Sequence, residues 1–254
     1  MPASPVELTI VPIRGLPEVR PGDDLADLLW VALVRQALRL EGGDALVVAH
    51  KVVSKAEGRL VDLRSVTPSP FARRAALEMN KDQRLVEVIL GETRRIVRLD
   101  RGVLVVETHH GLVCANAGVD QSNVPGDGVV ALLPRDPDAS ARALRKALED
   151  RAGCRLAVII ADTFGRPWRE GLVNVAVGVS GVASLRDYRG QKDPYGFTLV
   201  GTQMALADEV ASAAELVMGK VDGVPAALVR GLRRPEGEGS AADLLRPPER
   251  DIFR

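Results

Sequence analysis

Two short runs without a single polar side chain constrain this chain more than anything else in it. They are Ala-Leu-Val-Val-Ala at 45–49 and Leu-Ala-Val-Ile-Ile-Ala at 156–161. Runs this short, bounded by Gly and polar residues, read as buried strands rather than helices. Each is followed at once by polar groups, His50-Lys51 after the first and Asp162-Thr163 after the second. The end of a buried strand is where a scaffold holds functional side chains rigidly at the edge of its core.

The rest of the chain arranges itself around these runs. Residues 6–13 read as a first strand, closed by the turn Arg14-Gly15-Leu16-Pro17. Asp23 or Asp24 caps a helix with the apolar face Leu25, Leu28, Leu29, Ala32 and Leu33, which Gly42-Gly43-Asp44 ends. Residues 68–90 read as one amphipathic helix, and strands 95–99 and 103–108 flank the hairpin-like turn Asp100-Arg101-Gly102. Residues 111–117 extend that sheet and 118–128 form a loop. A strand at 129–133 precedes a helix that starts at Asp136-Pro137-Asp138 and runs to about residue 150. The segment after Asp162 reads as a loop containing Gly, Pro and Arg, and 173–185 shows no clear periodicity. A helix at 199–219, a strand at 226–229 and a mobile or wrapping tail at 235–248 complete the chain. Because the alternation is irregular and includes hairpins, the expected fold class is mixed α+β rather than a regular parallel α/β sheet.

Composition narrows the function classes. Lys plus Arg and Asp plus Glu are both 34, a net charge of +0. Electrostatic binding to nucleic acid needs a basic surplus or stripe, so none is expected. No apolar run approaches the ~20 residues of a membrane span, and the N-terminus has no signal-peptide pattern. A cytoplasmic enzyme is the expectation. Cys114 and Cys154 make neither a disulfide framework nor a zinc site and read as buried thiols. Nothing marks Cys114 as an activated nucleophile. His109-His110, as neighbours on a strand, would face opposite ways and could not chelate one ion.

Three segments carry possible chemistry. In Asp162-Thr163-Phe164-Gly165-Arg166-Pro167-Trp168-Arg169, a carboxylate and a hydroxyl leave a buried strand together. Such oxygens suit Mg²⁺ or Mn²⁺, and the arginines could neutralise phosphate or carboxylate. The alternative is that Asp162 only caps the next turn. Gly118-Val119-Asp120-Gln121-Ser122-Asn123-Val124 is a second oxygen-rich loop, also compatible with a plain turn. His50-Lys51-Val52-Val53-Ser54-Lys55 offers lysines that could reach phosphate, or a solvated helix surface. There is no Gly-x-x-x-x-Gly-Lys-Ser/Thr loop and no dinucleotide-binding glycine fingerprint.

The order of the motifs resembles one family, the coenzyme F-420:L-glutamate ligases. Similar strings are Gly15-Leu16-Pro17-Glu18-Val19 with Pro21-Gly22-Asp23-Asp24-Leu25, then Lys51-Val52-Val53-Ser54-Lys55-Ala56-Glu57-Gly58-Arg59. The Asp120 and Asp162 segments follow in the same order. Then come Asp193-Pro194-Tyr195-Gly196, the stretch from Ala207 to Gly219, and Asp251-Ile252-Phe253-Arg254. The resemblance runs nearly end to end.

It implies a single ligase unit over 1–254, two-lobed α+β and an intertwined homodimer, without the reductase-like domain fused to some relatives. It implies GTP-driven addition of L-glutamate to F-420-0 through a γ-linked amide, by way of an acyl phosphate. The same chemistry on another carboxylate acceptor, or a non-catalytic nucleotide-binding protein, would share the scaffold. By position, the resemblance places GTP at Leu16, Pro17, Glu18, Val19, His50, Lys55 and Asn123. It adds Met218, Gly219, Lys220, Val221, Asp222, Gly223, Val224 and Pro225. It gives Mg²⁺ or Mn²⁺ to Asp120, Asp162 and Thr163. Lys220 departs from the family pattern, since archaeal relatives tend to carry an uncharged amide ligand for a second metal there. A protonated ammonium cannot ligate a cation, and Lys220 is read as neutralising phosphate instead.

Overall fold

A computed structural model describes residues 7–232 and 237–251 and puts both apolar runs in the middle of one sheet. In chain order the elements are β1 (Thr9–Ile13), α1 (Leu25–Arg35), β2 (Ala45–Ala49), α2 (His50–Ala56), β3 (Leu60–Asp62), α3 (Pro70–Met79) and α4 (Gln83–Gly91). Then come β4 (Thr93–Asp100), β5 (Val103–Thr108), β6 (Val113–Ala115), β7 (Val129–Ala131), α5 (Pro137–Ala152), β8 (Ala157–Arg166) and β9 (Arg169–Ser180). The chain closes with β10 (Arg186–Asp187), β11 (Gln203–Met204), α6 (Leu206–Met218) and β12 (Ala226–Arg230).

The main sheet has the order β1-β12-β2-β8-β9. Only β2 and β8 pair in parallel; the other neighbours are antiparallel. This mixed sheet bears out the α+β expectation. β2 and the first half of β8, Ala157–Ala161, are apolar because the sheet is covered on both faces there. Leu46, Val48, Val158 and Ile160 turn to one core with α1 and α5, while Val47, Ile159 and Ala161 turn to another with α6. A third cluster lies between α3, α4, β5 and β7. Gly178 on β9 passes so close to the start of α5 that a Cβ there would lie 2.4 Å from the Pro137 carbonyl oxygen.

Local chemistry corrects several boundaries. α1 is capped by the Asp24 side chain but stops at Arg35, where Ala37 turns to φ 54, well before the glycines at 42 and 43. The single helix expected over 68–90 is two. Ser69 caps α3, Asn80 in the left-handed conformation ends it, and Asp82 caps α4. The expected loop after Asp162 is instead strand: β8 continues to Arg166 and turns back into β9, so the Gly-Pro-Arg segment is the tip of a long hairpin. α6 starts at Leu206 rather than near 199, and β11 occupies part of the difference.

The tail wraps where it is described. Ala241 is buried, its amide donates to Asp138 Oδ1 at 3.0 Å, and Glu238 pairs with Arg145. Val6 and the Ile252-Phe253-Arg254 end of the last motif fall outside the described residues. No helix of the described residues is long and apolar enough to cross a membrane.

Candidate functional site

The register of the two parallel strands builds the site. Ala49 pairs with Ala161, so the next residues, His50 and Asp162, emerge side by side at the same end of the sheet. The outer strands feed that end as well. β12 runs antiparallel to β2, which brings the turn before it alongside, and the Ala49 amide donates to the Pro225 carbonyl at 2.8 Å. β1 runs antiparallel to β12, so the 16–19 segment leaves from the same end. Asn123, from the loop before β7, reaches across and donates to the Lys220 carbonyl at 3.3 Å.

Together these segments line a cleft of about 450 Å³, a size ordinary for small-molecule sites. Of the residues singled out from the sequence, all but Asp120, Val221 and Asp222 line it. Val221 points to solvent, 92 % exposed, and the Asp222 carboxylate packs against Gly219, where φ is 62. Asp120 stands behind Lys51, which does line the cleft.

Charge is concentrated here. His50 is buried, with Nε2 3.2 Å from Asp162 Oδ1, though not aligned for a hydrogen bond. Its Nδ1 lies 3.5 Å from Ser54 Oγ, which is also buried. Lys55, 6 % exposed, donates to Glu18 Oε1 at 2.6 Å; the solvated-surface reading of this lysine is therefore wrong. Lys51 Nζ is 2.6 Å from Asp120 Oδ2 and 2.8 Å from Ser122 Oγ. Burial pushes the Asp120 carboxyl up, but the Lys51 ammonium and the Ser122 amide and hydroxyl outweigh it and hold it below the usual carboxylate range. Lys220 Nζ donates to Thr163 Oγ1 and, at 3.4 Å, to Asn174 Oδ1.

The oxygen donors suit a hard divalent ion only in part. Asp162 Oδ1 accepts the Thr163 amide at 2.7 Å, and its Oδ2 takes no hydrogen bond among the described residues. That leaves one carboxylate oxygen of this cleft-lining residue without a competing hydrogen bond among the described residues. Asp120 is committed to Lys51 and Ser122, so an ion there would have to displace an ammonium. No group of three or more His, Cys, Asp or Glu able to hold a metal occurs among the described residues. The set fits an ion that keeps most of its shell in water and phosphate oxygens, as Mg²⁺ does.

Sequence reasoning did not single out Asn174. It sits directly opposite Thr163 across the β8–β9 ladder and receives the Thr163 hydroxyl at 2.7 Å. The Cys114 thiol is pushed up to about 12 by burial and by the nearby Asp162 charge, which disfavours the reactive thiolate. The two histidines occupy a turn rather than a strand and part company there. His109 Nε2 meets the Gly91 carbonyl at 3.1 Å, and His110 Nε2 the Pro134 carbonyl at 2.9 Å.

Comparison of the sequence with known proteins points to one family. Residues 14–231 match the profile of the F420-0:Gamma-glutamyl ligase family. A protein of Methanopyrus kandleri named coenzyme F420:L-glutamate ligase is 52 % identical over 252 residues, covering 97 % of this chain and 98 % of its own. Proteins of the same name from Methanothermobacter thermautotrophicus and Archaeoglobus fulgidus are 48 % and 42 % identical, again over at least 97 % of both chains. The matched span contains the whole of the main sheet's site end except the first strand, and on that ground the chain belongs to the F420-0:gamma-glutamyl ligase family.

Proposed function

We propose that this chain is a GTP- and divalent-metal-dependent ligase that joins L-glutamate to the terminal carboxylate of F-420-0 in coenzyme F-420 biosynthesis. The observation that carries the reading is the clustering of Lys51, Lys55 and Lys220 around Asp162 in one cleft. It occurs in a chain that aligns nearly end to end with proteins named as ligases of this kind.

A carboxylate is a poor electrophile, because its negative charge repels an amine and oxide is a poor leaving group. Transfer of the GTP γ-phosphoryl group to the acceptor carboxylate removes both obstacles. A new O–P bond forms, the bond between the β-bridging oxygen and the γ-phosphorus breaks, and GDP leaves. The glutamate amine then attacks the acyl carbon, an amide forms, and phosphate departs with the former carboxylate oxygen while the amine loses its proton to solvent. The lysines' part is electrostatic: fixed ammonium groups in a partly buried cleft offset charge on the transferring phosphoryl oxygens without reorganising. Lys55 is held by Glu18, and Leu16 to Val19, Met218 to Lys220 and Gly223 to Pro225 line the cleft that would take the nucleotide. Mg²⁺ or Mn²⁺ held at Asp162, with Asp120 as a further oxygen donor, would supply additional charge neutralisation at the phosphates.

The γ-linked product presents a fresh carboxylate, so the same site can act again. A two-lobed subunit in an intertwined cytoplasmic homodimer belongs to this reading. The dimer is supported by exposed apolar side chains on the β8–β9 hairpin and the loop between β10 and β11, including Trp168, Leu172, Tyr195 and Phe197. GTP hydrolysis measured with and without F-420-0 and L-glutamate tests the function. Hydrolysis that requires both is expected, and hydrolysis indifferent to both would refute it.

A further inference from the structure

Thr163 and Asn174 face each other across the antiparallel β8–β9 ladder. The Thr163 hydroxyl donates its one proton to Asn174 Oδ1 at 2.7 Å, so its remaining lone pairs can only accept. Asn174 is 5 % exposed, and its amide oxygen is likewise an acceptor facing the cleft. Two neutral oxygens thus converge on one point, which is a seat for a cation. The cation already there is the Lys220 ammonium, in contact with Thr163 Oγ1 and 3.4 Å from Asn174 Oδ1.

This lysine is delivered by a shaped turn rather than drifting on the surface. Gly219, with φ 62 and ψ −175, ends α6 and reverses the chain. The Asp222 carboxylate fills the space beside it so closely that a Cβ on Gly219 would lie 2.2 Å from Asp222 Oδ2. Asn123 Nδ2 holds the Lys220 carbonyl from the opposite loop.

We infer that Lys220 is the built-in second cation of this cleft, filling the Thr163–Asn174 seat so that the nucleotide is bound with one divalent ion, on the Asp162 side, rather than two. Phosphoryl-transfer sites commonly use a pair of metal ions to clamp the transferring group. Here an ammonium with three donors takes one of those places: two of its protons meet the protein oxygens, and the third is left for a phosphate oxygen. A divalent ion could not share the same two oxygens with it, since both cations need the same lone pairs and repel each other.

The inference rests on the proposed nucleotide-dependent function, and the experiment separates the two. Mn²⁺ is titrated into the full chain with a non-hydrolysable GTP analogue, and bound ions per protomer are counted. Lys220→Gln, which keeps the length and supplies an amide oxygen in place of the charge, is measured beside it, with Lys220→Arg as a charge-preserving control and a melting curve for each. Wild type and Lys220→Arg are expected to bind one Mn²⁺ per protomer and Lys220→Gln two. Two ions in wild type, or one in folded Lys220→Gln, overturns the inference while leaving the ligase reading intact. No analogue-dependent Mn²⁺ in wild type overturns the functional reading itself, and the inference with it.

Discussion

His50 Nε2 lies 3.2 Å from Asp162 Oδ1 because the residues before them, Ala49 and Ala161, are paired across two parallel strands. The site is therefore fixed by the most buried part of the sheet. Asp162→Asn should cut product formation by about 100-fold or more, the loss typical of removing one preorganised electrostatic group. Asn retains an oxygen for the Thr163 amide, so the melting temperature should stay within a few degrees (~1 kcal/mol or less for a preserved hydrogen bond). Turnover assayed across an Mn²⁺ titration, with a melting curve, checks both. Wild-type turnover in the folded variant would remove Asp162 from the mechanism.

Lys55 has a side chain only 7 % exposed and an ion pair with Glu18 at 2.6 Å. An exposed pair contributes ~0–1 kcal/mol, but a lysine that neutralises phosphate from a walled site should contribute more. Lys55→Ala is expected to weaken binding of a non-hydrolysable GTP analogue by about 30- to 100-fold, or ~2–3 kcal/mol. Calorimetry decides it, and an unchanged Kd would reduce Lys55 to a structural partner of Glu18.

Asp120 gives a pH prediction. Its folded carboxyl lies below the usual range, so its ionised form is favoured more in the folded state than in the unfolded. That stabilisation is fully present above the unfolded value of ~4 and is lost as pH falls through the lower folded value. Urea unfolding of wild type and Asp120→Asn should differ by a constant amount between about pH 7 and pH 5, and the difference should shrink only below about pH 4. A difference that vanishes already at pH 6 would show that Lys51 does not hold Asp120 in solution.

Much of this site was legible because its segments are local. The apolar runs announce the central strands, and the polar residues that follow them in sequence follow them in space. What escaped the sequence depends on pairing at a distance. The Lys51–Asp120 contact joins residues far apart in the chain, and nothing in either segment points to the other. Asn174 was hidden for a different reason. The outer half of β9 is exposed while its inner half is buried on both faces, so the strand never shows the alternation that would reveal it. The same mixed burial made the hairpin arms on either side of the 167–168 turn read as a loop. The split between α3 and α4 turns on one left-handed residue, Asn80, in a stretch whose amphipathic pattern otherwise continues.

Glutamate addition is read from product mass. Purified protein is incubated with F-420-0, GTP, Mn²⁺ or Mg²⁺ and excess L-glutamate, and masses are followed over time. F-420-0 is expected to gain one glutamyl residue and then a second, with GDP and phosphate appearing in step. A complete mixture that yields no glutamylated product would contradict it.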